Sequence, residues 1–269
     1  MLTVSTVNVN GLRAAVKKGF VEWLATTKAD VVACQEVRAE ASQLPASVVS
    51  PEGWFAVHAP SSVKGRSGVA LYSRVEPEEV RIGFGEPEFE KSGRYLEMHL
   101  PGVVVASLYL PSGDVGTERQ DEKERFMAAF LPYLVELRAK SAAAGREVVV
   151  TGDWNIAYDT VDLKNWRGNQ KSSGFLPGER AWLGRVYEEA GYLDVQRRVD
   201  PEGPGPYTWW SYRGQAFDND SGWRIDLQLA TPGLAGQVRS VVVERAASHD
   251  RRWSDHAPVT AVYDYPFSR

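Results

Sequence analysis

The chain predicts an α/β fold in which two sheets pack face to face with helices outside. Three observations carry this. Short Val-rich apolar runs recur along the whole length, at residues 2–7, 30–35, 67–73, 103–110, 147–151, 225–230, 238–244 and 257–263. Runs of this length, bounded by polar and turn residues, read as strands. Two other segments carry helical spacing. Finally, residues 4–10 (V-S-T-V-N-V-N) echo residues 149–155 (V-V-T-G-D-W-N), each passing from an apolar strand into an N-x-N or D-x-N pair. Chance produces such an echo, and so does a duplicated β-rich half.

Taken in order, the first strand runs into Asn8 and Asn10, which are ordinary turn residues when read alone. The second ends in Gln35-Glu36. The stretch 103–110 is the longest apolar one, far short of the roughly 18 residues that span a bilayer. Phe126, Phe130, Leu134 and Leu137 line one helix face, and Pro132 predicts a kink or a new helix start within it. The strand at 147–151 is followed by Gly152, which permits a tight bend or a close approach. Asp153 and Asn155 come next, two apart, so an extended exit points both to one side. Pro177 opens a second helix with Trp182, Leu183, Val186 and Tyr187 on one face and Gly191 as its stop. Within Tyr207-Thr208-Trp209-Trp210-Ser211-Tyr212, two adjacent Trp cannot both face one core, which leaves one to stack on a base or sugar. Asp226 sits between Ile225 and Leu227 in an apolar strand, and an inward carboxylate needs a partner. A histidine orienter is the natural candidate; a pair with Arg224 is not expected. Asp255-His256-Ala257-Pro258 leads into the last strand, and free imidazole titrates near neutrality.

Composition narrows the class. The 269 residues are 43 % hydrophobic and 11 % aromatic, which suits a packed globular protein. The absence of Gly/Ser linkers and long charge blocks favours one domain over residues 1–269. One cysteine, Cys34, excludes an internal disulfide and a Cys-based zinc cluster and fits a reducing cytoplasm. Met1-Leu2-Thr3-Val4 has no basic n-region, so no signal peptide is expected. A monomer is expected, since no exposed apolar stripe or heptad is visible. The net charge of −4 argues mildly against nucleic acid. That sum misleads where carboxylates concentrate around a divalent ion. Basic side chains also cluster, at Lys17-Lys18, Arg119/Lys123/Arg125, Lys164/Arg167/Lys171 and Arg251-Arg252.

Three acidic clusters stand where apolar runs end: Gln35-Glu36, Asp153-Trp154-Asn155 and Asp255-His256. Carboxylates at strand exits meet when several strands end at one sheet edge, and there they form a hard-oxygen site suited to Mg²⁺. Asn and His among them supply hydrogen bonds without adding negative charge. That mixture suits phosphodiester cleavage, in which water attacks a negatively charged centre. Each cluster alone has an ordinary reading: an Asx turn for Asp153 and Asn155, a loop glutamate for Glu36, a capped loop histidine for His256.

Together these residues resemble the exonuclease III family of abasic-site endonucleases. The resemblance covers nearly the whole chain, with motifs in order: V-N-V-N-G-L-R (7–13), Q-E (35–36), G-V-A-L (68–71), L-Y-L-P-S-G (108–113), G-D-W-N-I (152–156), G-F-L-P-G-E-R-A-W-L (174–183), Y-T-W-W-S-Y-R (207–213), G-W-R-I-D (222–226) and S-D-H-A-P (254–258). It implies a four-layer α/β/β/α sandwich like that of DNase I, two packed mixed sheets flanked by helices, with the site at one edge. By position, Asn8 and Glu36 match metal-site residues. Asp153, Asn155, Asp255 and His256 match further metal, water or phosphate positions, and Asn155 also matches the transition-state stabiliser. Tyr109 matches the active-site tyrosine and Asp226 the carboxylate behind His256. Trp209, Trp223 and Ile225 match the pocket for a baseless sugar. Two positions depart from the pattern. Ser112 stands where relatives often carry Asn or Gln, so its hydroxyl reaches less far. Trp154 stands where relatives commonly have Met.

The implied activity is Mg²⁺-dependent hydrolysis of duplex DNA 5′ to abasic sites, with Mn²⁺ as an alternative ion. Exonuclease and 3′-phosphatase action are expected at the same site. The implied partner is double-stranded DNA with abasic sites or 3′-blocked ends, held through phosphates by Arg94, Ser112, Lys123 and other side chains, in the cytoplasm at the nucleoid and away from membranes. Two rival readings keep the fold: a phosphodiesterase acting on inositol phosphates, sphingolipid or RNA, and a nucleic-acid-binding protein without activity. The aromatic segment speaks against the first, and the chemically competent site positions speak against the second.

Overall fold

The computed structural model describes residues 1–268. In chain order its strands are β1 (Leu2–Asn8), β2 (Val31–Gln35), β3 (Phe55–Ala59), β4 (Val69–Ser73), β5 (Glu79–Ile82), β6 (Tyr95–Leu100), β7 (Val103–Tyr109), β8 (Glu147–Asp153), β9 (Leu193–Asp194), β10 (Asp226–Ala230), β11 (Val238–Val243) and β12 (Val259–Tyr263). The helices are α1 (Leu12–Val16), α2 (Phe20–Thr26), α3 (Ala46–Val49), α4 (Glu118–Ala143), α5 (Pro177–Glu188), α6 (Val195–Val199) and α7 (Pro232–Ala235). One sheet has the order β11-β12-β1-β2-β4-β3 and the other β5-β6-β7-β8-β10-β9. Both are mixed: β1 and β2 are parallel, as are β7 and β8, among otherwise antiparallel neighbours.

Side-chain alternation builds the layers. On β7, Val103 and Val105 join Leu2, Val4, Leu71 and Met98 in a core between the sheets. Val104 and Ala106, one residue out of phase, join Phe126, Phe130, Leu134, Trp182 and Leu183 beneath α4 and α5. On the other side Val32, Cys34, Ala70 and Tyr72 pack against Leu12, Phe20, Leu24 and Val48 from α1, α2 and α3. A period of two thus feeds two apolar layers from each central strand, and the four-layer sandwich follows.

The central strands reveal what the sequence echo marks. The strands β1 and β8 carry its two copies, one in each sheet, and Asn8 at the end of one donates through Nδ2 to Asp153 Oδ2 at the end of the other (2.9 Å). Gly152 owes its place to close approach, though by a strand and not by a ligand. Its φ is 142°, and a Cβ there would lie 2.0 Å from the Leu108 carbonyl oxygen of the neighbouring strand.

Several elements differ from the sequence expectation. No new helix starts at Pro132; α4 runs through it from Glu118 to Ala143. Leu131, Tyr133 and Leu134 around it are buried while Pro132 faces solvent, so packing on both sides carries the helix past the missing N–H. Replacing Pro132 with Ala should therefore raise the unfolding free energy by about 1 kcal/mol or more, read as a higher urea midpoint; a lower midpoint would show that the ring has a packing role. The helix α5 ends at Glu188, and Gly191 follows at φ 71°. The strand β6 escaped notice because Glu97 and His99 interrupt its apolar pattern. They lie on the α4 side, where Glu97 accepts from the Tyr95 and Tyr133 hydroxyls at 2.6 and 2.8 Å. The strands β3 and β5 lie at sheet edges, where most of their side chains stay half-buried or exposed.

Candidate active site

Strands β1, β2, β7 and β8 end at one edge of the sandwich, delivering Asn8, Glu36, Tyr109 and Asp153. The antiparallel strands β10 and β12 begin there, so Asp226 pairs in register with Asp153, and Asp255-His256 enters just before β12. Topology therefore gathers residues from six distant segments. Asn8, Glu36, Tyr109, Asp153, Asn155, Asp255, His256, Ser112, Trp209, Trp223 and Ile225 line one cavity of about 400 Å³.

The innermost group is a buried carboxylate–imidazole–carboxylate arrangement. His256 Nδ1 lies 2.8 Å from Asp226 Oδ2, and its Nε2 lies 3.9 Å from Asp153 Oδ2. Asp226 does not line the cavity; it sits behind the ring, where Thr208 Oγ1 donates to the same Oδ2 (2.6 Å). With Nδ1 bonded to Asp226, Nε2 is the nitrogen turned toward Asp153. Burial pushes the Asp153 carboxyl up to about 7; His256 and the Asn8 amide oppose the rise, while Asp226 and Glu36 add to it. Burial disfavours a charged His256, but Asp226, Asp153 and Asp255 outweigh it and raise the imidazole to about 10. An imidazolium beside a carboxyl that is easily protonated is a proton-transfer site held away from bulk water.

Glu36 adopts a left-handed backbone (φ 53°), which turns its side chain out of β2 and into the cavity. Its Oε1 accepts from the Tyr109 hydroxyl (2.5 Å) and from Arg38 (2.8 Å). Among the described residues no donor reaches Oε2, leaving one carboxylate oxygen free for a cation. Burial, with Glu36 and Asp153 adding to it, raises Tyr109 well above the usual phenol range, so it stays a neutral donor. Asp153, Asp226 and His256 also present ligand atoms within 4.8 Å of one another, a spacing that suits one metal ion. Two of these atoms already bond each other, however, and a hard oxygen site with a freer carboxylate lies toward Glu36. The donor chemistry, carboxylate and amide oxygens, fits Mg²⁺.

Asn155 is also left-handed (φ 50°); its N–H donates to Asp153 Oδ1 (3.0 Å) and its Nδ2 to the Leu110 carbonyl (2.8 Å). Asp255 is tied to the wall through both oxygens, by Asn10 Nδ2 (2.8 Å) and Trp209 Nε1 (3.0 Å). Trp210 is buried and Trp209 half-buried, edge-on to Trp223 at 6.3 Å. Trp154 packs beneath the site against Phe130 and Trp182.

One expected phosphate ligand, Lys123, is placed differently, and a second, Arg94, lies beside the site with a carboxylate partner. Lys123 has no exposed surface: its Nζ pairs with Glu179 (2.7 Å) and donates to the Asn155 and Ser112 carbonyls (2.9 and 3.3 Å). It cannot meet DNA, because α4 turns it inward toward the start of α5. Arg94 borders a neighbouring cavity of about 310 Å³. It is paired with Glu122 (3.1 Å) and lies over the Tyr109 ring at 5.1 Å. Ser112 remains exposed at the junction of the two cavities. Sequence reasoning missed Asn10, Arg38 and Thr208 as partners of acidic groups. Each lies within or two residues beyond a quoted motif, and that proximity was the available signal.

Residues 5–256 match the Endonuclease/Exonuclease/phosphatase family. An exodeoxyribonuclease of Bacillus subtilis (strain 168) is 35 % identical over 256 residues, 95 % of this chain and 96 % of that protein. A 3′ phosphatase, NExo, from Neisseria, bound to product DNA hairpin, superposes with TM-score 0.88 at 29 % identity, covering 98 % of this chain and all of that one. An AP endonuclease from Archaeoglobus fulgidus gives TM-score 0.87 at 29 % identity with the same coverage.

Proposed function

Because the chain belongs to the Endonuclease/Exonuclease/phosphatase family, we propose that it hydrolyses the backbone of duplex DNA 5′ to abasic sites in a Mg²⁺-dependent reaction. Exonuclease and 3′-phosphatase action are proposed for the same site, since each hydrolyses a phosphoester beside a sugar. The relatives' names, an exodeoxyribonuclease, a 3′ phosphatase and an AP endonuclease, support a hydrolytic DNA nuclease. The observation that carries the narrower reading is the adjacency, in one cavity, of the Asp153–His256 pair and an apolar wall of Trp209, Trp223 and Ile225.

On this reading Glu36 and Asn8, with oxygens of Asp153, Asn155 and Asp255 and the His256 ring as further candidates, hold the Mg²⁺, which supplies Lewis-acid polarisation of the phosphate. Asp153 Oδ2 holds the attacking water and takes its proton, a step favoured by a carboxyl that binds a proton readily near neutrality. The Asn155 amide and His256 Nε2 donate to phosphate oxygens as charge builds in the pentacovalent state, and the Tyr109 hydroxyl joins them only by turning its single hydrogen away from Glu36 Oε1. Asp226 holds the imidazole by Nδ1. The pocket selects by bulk: a bare sugar swings out at less cost than a paired nucleotide and fits where a base would clash with the Trp rings. The protein is proposed to act as one domain and as a monomer, in the cytoplasm. Among the described residues no helix is long and apolar enough to cross a membrane.

A 5′-labelled duplex with one tetrahydrofuran abasic analogue tests the proposal. Incision 5′ to the analogue is expected with Mg²⁺ and none above background with EDTA. Equal cutting of intact duplex, or cutting in EDTA, would refute it. The burial of Lys123 yields a further expectation. Lys123→Met should lower kcat while leaving the slope of log K against log salt unchanged. A phosphate contact would instead reduce that slope by about 1.

A further inference from the structure

Behind the Asp226–His256 pair, away from the substrate cavity, lies a small crevice between α6, the start of β10 and the β11–β12 side of the other sheet, with half-buried Pro206, Val241 and Val243 at its rim. It offers about 10 Å³ to the centre of a water-sized sphere, close to the minimum that one water needs. Just over half of its wall is apolar, from residues such as Val195, Leu227 and Val259. Of the five buried polar side chains that border it, Thr208 and Gln228 are hydrogen-bonded within the protein, and the other three are Asp226, Arg224 and Gln196. Their exposures are 2, 2 and 7 %. Each brings an atom without a protein hydrogen-bond partner: Asp226 Oδ1, Arg224 Nη1 and Gln196 Oε1. A buried carboxylate oxygen or guanidinium N–H left unpaired costs about 1–3 kcal/mol or more. Three residues that carry such atoms around one space are not the pattern of a packing void, which is apolar.

Their chemistry is complementary. Two are acceptors and one is a donor, and a water molecule donates two hydrogens and accepts through oxygen. We propose that this space is a site for a single ordered water, donating to Asp226 Oδ1 and Gln196 Oε1 and accepting from Arg224 Nη1–H, and that this water fixes the rotation of the Asp226 carboxylate. The rest of Arg224 is immobile: Nε donates to Asp162 Oδ1 (2.8 Å), Nη2 lies 2.7 Å from Asp194 Oδ2, and its backbone N–H donates to the Asp162 carbonyl (2.7 Å). The water therefore couples Asp226 to a rigid anchor. Asp226 Oδ2 is already shared by His256 Nδ1 and Thr208 Oγ1, and holding Oδ1 as well keeps Oδ2 in line with the ring nitrogen. Gln196 and Arg224 are positioning residues in this arrangement; neither lines the substrate cavity. The functional half of the proposal rests on the proposed role of His256, whereas the water site does not.

The test has two arms, one for each half. In a crystal structure of the full chain at a resolution that shows ordered waters, a peak is expected within about 2.6–3.2 Å of all three atoms. An empty space, or one closed by a rotated Gln196 or Arg224, overturns the site. Gln196→Met keeps the volume and removes the acceptor. It is expected to lower kcat for abasic-duplex incision about tenfold with KM unchanged, at a thermal midpoint that shows the fold intact. An unchanged kcat overturns the positioning role even where the water is seen, and a matched rise in KM assigns the effect to the pocket and overturns it equally. Should wild type fail to incise abasic DNA at all, the crystallographic arm still decides the water site.

Discussion

Asp153→Asn should lower the rate of incision of an abasic duplex by about 10²–10⁴-fold, the range associated with loss of a general base, while DNA binding stays measurable. The substitution is nearly isosteric, so the change is chemical. In the native protein both carboxylate oxygens accept: Oδ1 from the Asn155 N–H and Oδ2 from Asn8 Nδ2. An amide has one acceptor, so its NH₂ must face one of these donors or turn toward His256, which holds Nε2 3.9 Å from Oδ2. In either orientation the group can no longer take a proton from water. Binding should hold or tighten, because a negative charge beside the scissile phosphate has gone. Single-turnover incision with a parallel anisotropy titration reads both quantities. Turnover close to wild type would remove Asp153 from the proton-transfer role. Lost binding with a normal single-turnover rate would make it a substrate ligand instead.

Arg224→Met should destabilise the protein by about 3–5 kcal/mol, as expected when one partner of a buried ionic group is deleted. Asp162 is 1 % exposed and Asp194 9 % exposed, so both would keep negative charges with too few partners. Arg197 still reaches Asp162, which holds the loss below that of an isolated buried carboxylate. The pH dependence follows from Asp162. Burial pushes its carboxyl up, but Arg224 and Arg197 outweigh that and hold it below its usual value. A depressed folded value stabilises above the unfolded pKa of about 3.9, and the contribution fades as pH falls through the folded value. The gap between wild type and variant should thus be widest near neutrality and narrow below about pH 4. Urea unfolding at pH 7 and at pH 3.5 reads this directly. A loss under about 1 kcal/mol at pH 7, or a gap that widens in acid, would rule out the ionic account.

The two results concern different kinds of residue, and they mark how far local pattern reaches. Asp226 was identifiable because a carboxylate inside an apolar strand must find a partner, and His256 does lie 2.8 Å away. The carboxylates at strand exits were identifiable for a similar reason: parallel strands that end together bring their exits together. The Asn8–Asp153 bond even gives the weak repeat a structural meaning.

Arg224 and Lys123 were not readable in the same way. Arg224 has its partners at positions 162 and 194, segments with no strand or motif signal. A lysine in a charged helix looks the same whether it faces solvent or a buried Glu179. Its orientation depends on how α4 is rotated over β8 and α5, which the packing of Phe126, Phe130 and Trp182 sets. Likewise Pro132 signals a break by its own geometry, and the buried faces on either side override it.

Alternation, strand exits and an inward carboxylate are short-range facts, written wherever a side chain's period or its desolvation leaves one outcome open. Joined with the family resemblance, they were enough for the layered architecture, the edge that carries the site and the residues that meet there. Which charges are sealed inside, and against which partners, came from contacts between segments tens of residues apart. A charged side chain carries no mark of its distant partner, and its burial is settled by the summed packing of the layers around it.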